Sequence, residues 1–349
     1  MPSLVMPLFE GPLDLVGDIH GELEALLNLF AALGYTAQGE HPAGRRLIFL
    51  GDLCDRGTDS PAVIELVRGL VDRGLAQCIL GNHELNLVRN DSKEGNRWYL
   101  DPSHEEQTTD FAHSKPAPAE LKDVWQAFFL SLPLALERAD LRVVHAAWHA
   151  PSIEIVRAAD DMLAVYNHWD RIAKARFDGG LAAAAAAEKA AHDLHDRSTP
   201  VPFLPRLAER DELVQMGNPV RILTSGIERQ VTEPFWATGK WRMCERVKWW
   251  DDYDGAPVIV GHYWRSAGSD ADRQVSGGKP DLFAPRAPNE WVGTAGRVFC
   301  VDYSVGGRYV ERKAGTTPFV TRLAAVRWPE QEVVFDDGAV LPMVSSATP

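Results

Sequence analysis

The first ninety residues alternate short apolar runs with segments whose apolar residues recur at helical spacing. The apolar runs are LDLV at 13–16, RRLIFL at 45–50 and AQCIL at 76–80. Leucine and phenylalanine then recur every three or four residues from Leu23 to Leu33, which predicts a helix. A second helical pattern has Ser60 as its N-cap, Pro61 as its first residue and Gly74 at its end. Together these patterns predict a β-α-β-α-β-α unit with parallel strands and right-handed crossovers.

The remainder of the chain is less regular, and we interpret residues 1–349 as one domain with two insertions. Residues 89–118 are polar and aperiodic, which indicates a loop or lid. The amphipathic helix that follows is ended by Pro133. Strands are predicted at LRVVHA and PVIVGHYWR, and between them residues 152–252 form a largely helical insertion.

A β-hairpin and a β-rich tail are expected at the end of the chain. GRVFCVDYSVGGRYV has the pattern of a β-hairpin with Gly306 and Gly307 at its turn. The fold class predicted from the whole chain is α/β.

Composition narrows the classes of partner. The 349-residue chain carries a formal net charge of −13, which argues against broad binding of nucleic acid or of an anionic membrane surface. No apolar run approaches the roughly 18 residues of a membrane span, and the N-terminal segment is a poor signal peptide. The four cysteines lie far apart and form no CxxC pair, which predicts a reducing, cytoplasmic setting.

Five of the predicted strands end in polar clusters: GDIHG, GDLCDRG, GNHE, the histidine after VV at 143–144, and GHYW. Functional sites of α/β sheets form at the carboxyl ends of strands. If the five strands share a core, six side chains can converge, namely Asp18, His20, Asp52, Asn82, His145 and His262.

This group mixes carboxylate, carboxamide and imidazole ligands and contains no thiolate. Such a set suits Mn²⁺ best, with Fe or Zn²⁺ as alternatives. Six ligands are too many for one catalytic ion that keeps open positions, so we expect two divalent ions with one bridging carboxylate. Two such ions can activate a shared water and hold a phosphate during in-line attack.

Three further residues of the same loops can complete a phosphate site. His83 directly follows Asn82 and can protonate a leaving oxygen, while Asp55 orients and charges its imidazole. Arg56 offers the planar pair of donors that phosphate oxygens favour.

These motifs, in this order from 17 to 263, resemble the phosphoprotein phosphatase (PPP) family of metallophosphoesterases. The resemblance implies a four-layer α/β/β/α sandwich, the His83–Asp55 acid pair, Arg56 on phosphate, and direct attack by a metal-bridging hydroxide. It implies two metal positions that share one ligand: Asp18, His20 and His262 on one metal, Asn82 and His145 on the other, and Asp52 bridging.

The sequence around the first two motifs resembles the bacterial branch of that family. This branch includes symmetrical diadenosine tetraphosphatases and the phosphatase module of polynucleotide kinase-phosphatases. Leu80 stands before GNHE, where the eukaryotic Ser/Thr enzymes carry arginine, and their SAPNYC-like segment is absent. No G-x-x-x-x-G-K-[ST] motif occurs, so no kinase half is expected.

The substrate stays open at this point. A phosphorylated small molecule, a nucleotide such as diadenosine tetraphosphate, and a phosphoprotein are all compatible with the motifs, and a non-catalytic metal-binding scaffold is the alternative from another class. Arg242 and Arg246 are both candidates for a second phosphate contact. The tryptophans near the last motif pack in the core or form an aromatic platform for a base or aryl group; they are Trp236, Trp241, Trp249, Trp250 and Trp264.

Overall fold

The computed structural model describes residues 3–93, 95–101, 111, 113–177, 180–237, 239–267 and 282–345. The strands are β1 Val5–Pro7, β2 Leu13–Val16, β3 Arg46–Phe49, β4 Ala76–Cys78, β5 Ala135–Arg138, β6 Leu141–Val144, β7 Glu228–Ala237, β8 Lys240–Arg246, β9 Val258–Val260, β10 Val298–Cys300, β11 Ala324–Trp328, β12 Glu332–Phe335 and β13 Val340–Pro342.

The α-helices are α1 Leu23–Leu33, α2 Ser60–Asp72, α3 Asn82–Val88, α4 Arg97–Leu100, α5 Lys122–Ser131, α6 Ala150–Arg157, α7 Met162–Phe177, α8 Leu181–Ala190, α9 Pro205–Met216, α10 Pro219–Ser225 and α11 Arg308–Ala314. Short 3₁₀ turns occur at Ala119–Leu121, Trp249–Asp252 and Val305–Gly307.

Two sheets face each other and helices cover their outer faces, so the predicted four-layer α/β sandwich is confirmed. One sheet has the strand order β13-β12-β11-β2-β3-β4 and the other has β1-β5-β6-β9-β10. The predicted parallel unit is present, because β2 pairs with β3 and β3 with β4 in parallel register. Within the described ranges, no helix combines the length and apolarity needed to cross a bilayer.

Alternation along the strands explains the two cores. Leu13 and Leu15 of β2 pack between the sheets, whereas Val16 faces the helical layer. Asp14, which interrupts this apolar run, is fully buried and accepts hydrogen bonds from Tyr35 Oη at 2.8 Å and Arg45 Nε at 2.8 Å. The buried acid therefore ties the strand to its neighbours at the end of the sheet away from the motifs.

The predicted hairpin over Gly306 and Gly307 is wrong. β10 pairs in parallel with β9, and residues 305–307 form a 3₁₀ turn that leads into α11. The chain turns after β10 because the Asp302 carboxylate accepts the backbone N–H of Ser304 at 2.9 Å, and Ser304 adopts φ +67°. A strand cannot continue through that geometry.

The N-cap of α2 is also one residue earlier than predicted. The Asp59 side chain accepts the Ala62 N–H at 3.1 Å. The hydroxyl of Ser60 is engaged elsewhere, because it accepts the backbone N–H of Asp55 at 3.0 Å.

The two predicted insertions contain both helices and strands. Within 152–252 lie most of α6, all of α7 to α10, and a two-stranded antiparallel ribbon of β7 and β8 that the sequence pattern did not predict. Within 89–118 the structure contains α4, while residues 94, 102–110 and 112 lie outside the described residues.

Candidate active site

The carboxyl ends of five strands from both sheets meet at one place. β2, β3 and β4 of one sheet lead into Asp18, Asp52 and Asn82, and β6 and β9 of the other lead into His145 and His262. The site therefore lies between the two sheets rather than at the edge of one, which is the reason that both halves of the chain contribute to it.

Asp52 is the centre of this cluster. Its Oδ2 lies 3.3 Å from His145 Nε2, 3.8 Å from His20 Nε2 and 3.9 Å from His83 Nε2. Two groups of potential metal ligands share this carboxylate, His20–Asp52–His83 and Asp52–His145–His262. The ligand atoms of each group lie within 4.8 Å of one another. A carboxylate in this position can serve two cations at once.

The other two predicted ligands border the same cluster. The Asp18 carboxylate accepts the backbone N–H of His262 at 3.0 and 3.2 Å. Asn82 Oδ1 lies 3.2 Å from His145 Nε2. The structure thus brings together all six side chains that the strand ends indicated.

Two imidazoles are oriented by backbone carbonyls. His20 Nδ1 lies 3.0 Å from the carbonyl oxygen of Cys54, and His145 Nδ1 lies 2.6 Å from that of Leu50. A neutral imidazole that donates from Nδ1 carries its lone pair on Nε2. Nε2 is thus the nitrogen that each histidine directs toward Asp52, as metal-binding histidines do. For His145, a bound cation would replace the proton that the nearby carboxylates otherwise favour on this nitrogen.

The electrostatics favour positive charge at this point. Burial and the neighbouring Asp302 raise the pKa of Asp18 well above its ordinary value. Burial alone lowers the pKa of His145, but Asp52 and Asp18 outweigh it and raise the pKa to about 10. Several buried carboxylates in one small volume are stable when cations lie among them. The donor set and its charge thus fit a pair of divalent ions.

Non-glycine residues in the left-handed backbone region are concentrated here. Seven lie at the site, with φ between +49° and +72°: His20, Asp52, Asp55, Arg56, His262, Trp264 and Ser304. Among the described residues, Asn90 and Gln331 are the two that lie elsewhere. Such conformations cost free energy and persist where surrounding structure enforces them, most often at functional sites.

A chain of three side chains leads into the cluster from the first insertion. His83 Nδ1 lies 2.5 Å from Asp55 Oδ2, and Trp98 Nε1 donates to Asp55 Oδ1 at 2.6 Å. Trp98 is buried. Both oxygens of Asp55 are therefore engaged, and His83 keeps its Nε2 directed at the centre of the site.

Arg56 bridges two histidines of the cluster. Its two terminal nitrogens lie 2.9 Å from His20 Nε2 and 3.2 Å from His83 Nε2. The guanidinium carbon lies 5.0 Å from the centre of the Trp264 ring.

The two other candidate arginines differ in position although both lie on β8. A terminal nitrogen of Arg246 lies 2.8 Å from His262 Nε2. The Nε of Arg242 donates to the carbonyl oxygen of Ala237 at 3.4 Å. Arg246 is thus the one placed against a residue of the cluster.

Three buried residues of the site were not identified from the sequence. Glu84 accepts the backbone N–H groups of Asp52 at 2.9 Å and Leu53 at 2.8 Å, and so holds the loop that carries the central carboxylate. Trp98 and Asp302 are the others. The end of a sixth strand, in FCVD, was the available signal for Asp302, whereas nothing local indicated Trp98.

The tryptophans near the last motif have different roles. Trp249 and Trp250 are buried, and Trp250 stacks on Phe283 with ring centres 5.3 Å apart. Trp236 and Trp241 pair edge-to-face on the β7–β8 ribbon. Trp264 is the member of this group that contacts the cluster.

Gly306 packs directly on the site, which yields a prediction. An added Cβ would lie 2.3 Å from His20 Cδ2 and 3.0 Å from a terminal nitrogen of Arg56. We expect Gly306→Ala to lower kcat/KM by up to about 10²-fold, since small displacements at a reacting centre have effects of that size. Gly69→Ala in α2, where no atom lies within 4 Å of the added Cβ, is the control. It should keep full activity and raise the unfolding temperature slightly. Equal activities of the two variants would contradict the packing.

Comparison with known proteins relates the first half of the chain to a described family. Residues 11–177 match the model of the calcineurin-like phosphoesterase family. An asymmetrical bis(5'-nucleosyl)-tetraphosphatase PrpE of Oceanobacillus iheyensis is 35% identical over 138 residues, which cover 38% of this chain and 54% of that protein. The PrpE protein of Bacillus subtilis is 34% identical over 148 residues, which cover 40% of this chain and 59% of that protein. This chain spans between half and two thirds of the length of these relatives.

The sequence identity to solved structures is lower than to these relatives. A cold-active protein-tyrosine phosphatase of a psychrophilic Shewanella species is 14% identical, with a TM-score of 0.47 and coverage of 99% of this chain and 83% of that one. Similarity at that level carries no argument about activity. The family match thus relates residues 11–177 to the calcineurin-like phosphoesterases, and these residues include Asp52, which both groups of potential metal ligands share.

Proposed function

We propose that the protein is a phosphohydrolase that requires two divalent metal ions and cleaves phosphomonoesters or phosphoanhydrides, with dinucleoside polyphosphates as its first candidate substrates. The observation that carries the proposal is that Asp52 belongs to both ligand groups. The His83–Asp55 pair and the guanidinium of Arg56 lie beside these same ligands. This arrangement combines a cation site, a proton donor and a phosphate-binding group.

The assignment of ligands to the two ions is taken from the family resemblance. By that assignment, Asp52 would serve both ions, Asp18, His20 and His262 would complete one site, and Asn82 and His145 the other. The distances alone group His262 with His145. When bound, the ions supply an activated water and neutralise phosphate charge. Mn²⁺ is proposed, with Fe and Zn²⁺ as alternatives, because oxygen and imidazole ligands suit all three.

The remaining steps belong to the chain's own side chains. Arg56 binds the phosphoryl oxygens and holds their charge as it spreads in the transition state. As water adds to phosphorus and the bond to the leaving oxygen breaks, His83 gives that oxygen a proton from Nε2. Asp55 keeps the imidazole oriented, and Trp98 holds Asp55 in place.

The first insertion supports a small substrate over a protein surface. His113 Nε2 lies 3.2 Å from the carbonyl oxygen of Arg56, and Ser114 donates to the carbonyl oxygen of Gly57 at 2.7 Å. This segment therefore runs along the loop that carries the phosphate-binding arginine. A loop packed there narrows the approach to the site, which suits a nucleotide better than a folded phosphoprotein.

The relatives that carry the name tetraphosphatase suggest the assay. The chelator-stripped protein, reloaded separately with Mn²⁺, Fe²⁺ or Zn²⁺, is tested on diadenosine tetraphosphate, nucleotides, a phosphopeptide and an aryl phosphate. Release of ADP alone from diadenosine tetraphosphate identifies symmetrical cleavage, whereas ATP with AMP identifies asymmetrical cleavage. Turnover of the phosphopeptide alone would favour a protein phosphatase. A metal-loaded protein inactive on the whole panel would indicate a scaffold.

A cytoplasmic location stays a prediction from the cysteine pattern.

We propose Arg246 as the second phosphate contact, because it lies against His262, and Arg242 on the same strand serves as its control. Arg246→Ala should lower kcat/KM by about 10- to 100-fold, the size expected when a hydrogen bond to a charged group is lost. Arg242→Ala, four residues away on the same strand, should change it by less than about threefold. Steady-state kinetics with an aryl phosphate measure both. The reverse order of effects would assign the second phosphate contact to Arg242.

A further inference from the structure

Arg56 is a long side chain that needs external support to hold a fixed orientation. A phosphate-binding guanidinium works best when its plane is preset, because freezing a flexible side chain on binding costs affinity. Its hydrogen-bonded neighbours in the site, His20 and His83, are themselves assigned to the metal and to proton transfer. Another group must therefore fix the guanidinium plane when those histidines are engaged.

Trp264 is positioned to do this. The centre of its ring lies 5.0 Å from the guanidinium carbon of Arg56, within the range of a cation–π contact. Its sequence neighbours Tyr263 and Arg265 are buried, whereas Trp264 is half-buried. The indole therefore stands at the wall of the site, two residues after His262.

Asp302 fixes the backbone that carries this ring. Trp264 adopts φ +54°, a conformation that a tryptophan rarely takes without support. Its N–H donates to Asp302 Oδ2 at 2.8 Å, and the next N–H, of Arg265, donates to the backbone oxygen of Asp302 at 2.8 Å. The other carboxylate oxygen accepts the Ser304 N–H, and the side chain is 1% exposed. The carboxylate thus joins the Trp264 turn to the turn that begins at Ser304.

The same loop reaches Arg56 from a second side. A Cβ added at Gly306 would lie 3.0 Å from a terminal nitrogen of Arg56 and 2.3 Å from His20 Cδ2, and Asp302 interacts electrostatically with Arg56. The loop after β10 therefore approaches the guanidinium directly through Gly306 and indirectly through Asp302, which holds the Trp264 backbone after β9. This loop lies outside residues 11–177, the part that matches the family model.

We propose that Trp264 and Asp302 are positioning residues for Arg56: Asp302 holds the Trp264 backbone, and the indole holds the guanidinium in its phosphate-binding orientation. The proposal rests on the proposed function, since it takes Arg56 to bind phosphate. It assigns a task to a tryptophan and a buried acid that touch neither the reacting atoms nor the ions in that scheme.

The test measures binding of inorganic phosphate to the Mn²⁺-loaded protein by calorimetry, with kinetics on an aryl phosphate alongside. Trp264→Leu should weaken phosphate binding by about 3- to 30-fold, the range of a cation–π contact. Trp264→Phe, which keeps an aromatic face, should retain most of the affinity. Asp302→Asn should reproduce the loss, since an amide cannot accept both backbone N–H groups. Trp169→Leu replaces a half-buried tryptophan of α7 and should change neither binding nor activity.

The decisive arm repeats the change in an Arg56→Ala background. There Trp264→Leu should alter phosphate binding by less than about twofold, because the guanidinium that the indole orients is absent. A loss of the same size in both backgrounds would overturn the proposal. So would a loss confined to substrates with an aromatic leaving group, which would make Trp264 a stacking platform, or a loss of bound manganese. If Trp264→Leu does not fold, phosphate binding is compared instead for Trp264→Phe and Asp302→Asn, each in the wild-type and the Arg56→Ala background.

The two proposals fail in different ways. A wild-type protein that binds phosphate but hydrolyses nothing on the panel refutes the proposed function and leaves the positioning role standing. A wild-type protein that binds no phosphate refutes the positioning role directly.

Discussion

Replacing His83 by asparagine is expected to lower kcat by about 10²- to 10⁴-fold, the usual contribution of a general acid, while the metal content stays at the wild-type value. Asparagine can occupy a similar volume but cannot give up a proton at neutral pH. The loss should fall mainly on substrates with a poor leaving group, since an aryl oxide with a low pKa needs little protonation. Stopped assays on an aliphatic and an aryl phosphate measure the difference.

The same variant separates two roles that the geometry permits for His83. His83 Nε2 belongs to one of the two ligand groups around Asp52, and its Nδ1 is bonded to Asp55. If His83 binds metal instead of donating a proton, the asparagine variant will lose an ion. Near-wild-type turnover would exclude both roles.

A second histidine provides the control for this experiment. His149 is half-buried, and its Nδ1 lies 2.8 Å from Ser152 Oγ, near the start of α6. His149→Asn removes a half-buried imidazole from outside the ligand groups. Its activity should stay within about twofold of the wild type.

Replacing Asp52 by asparagine should have the largest effect of any single change. The carboxylate lies within 3.3 to 3.9 Å of three histidine nitrogens, and it is the ligand that both groups share. The neutral amide removes one negative charge from both cation sites, so occupancy of both should fall. With several kcal/mol of transition-state stabilisation lost, kcat/KM should drop by about 10³-fold or more.

Asp18→Asn is the matched comparison, because Asp18 belongs to neither group that shares Asp52 and is assigned to one site only. It should weaken one ion selectively and lower activity less than Asp52→Asn. Metal titrations of both variants, followed by activity at saturating Mn²⁺, check the order. Rescue of Asp52→Asn to wild-type rates by excess Mn²⁺ would contradict a bridging role.

Local patterns were sufficient to predict the central part of the fold. Strand β2, its turn and α1 follow one another within 13–33, so the apolar spacing and the glycine-bounded turn are visible in one stretch of sequence. The repetition of this unit at β3 and β4 indicated parallel strands and placed their polar ends at one edge. The motifs after β6 and β9 added His145 and His262 to the list although those strands belong to the other sheet.

Features that depend on distant parts of the chain could not be predicted. Trp98 reaches Asp55 across 43 positions from a segment without periodicity. Gly306 and Gly307 fit a hairpin turn equally well by composition. The Asp302–Ser304 hydrogen bond and the close packing of Gly306 on His20 favour the 3₁₀ turn instead. Arg242 and Arg246 share a strand face at even spacing, so their distances from His262 depend on how β8 is placed.

The metal content of the wild-type chain tests the central claim most directly. The protein is stripped with a chelator, reloaded with Mn²⁺, freed of excess ion and analysed by mass spectrometry for manganese per chain, in parallel with Asp52→Asn. The shared carboxylate predicts two ions per wild-type chain and a loss of both in the variant. One ion per wild-type chain, or two ions retained in Asp52→Asn, would contradict it.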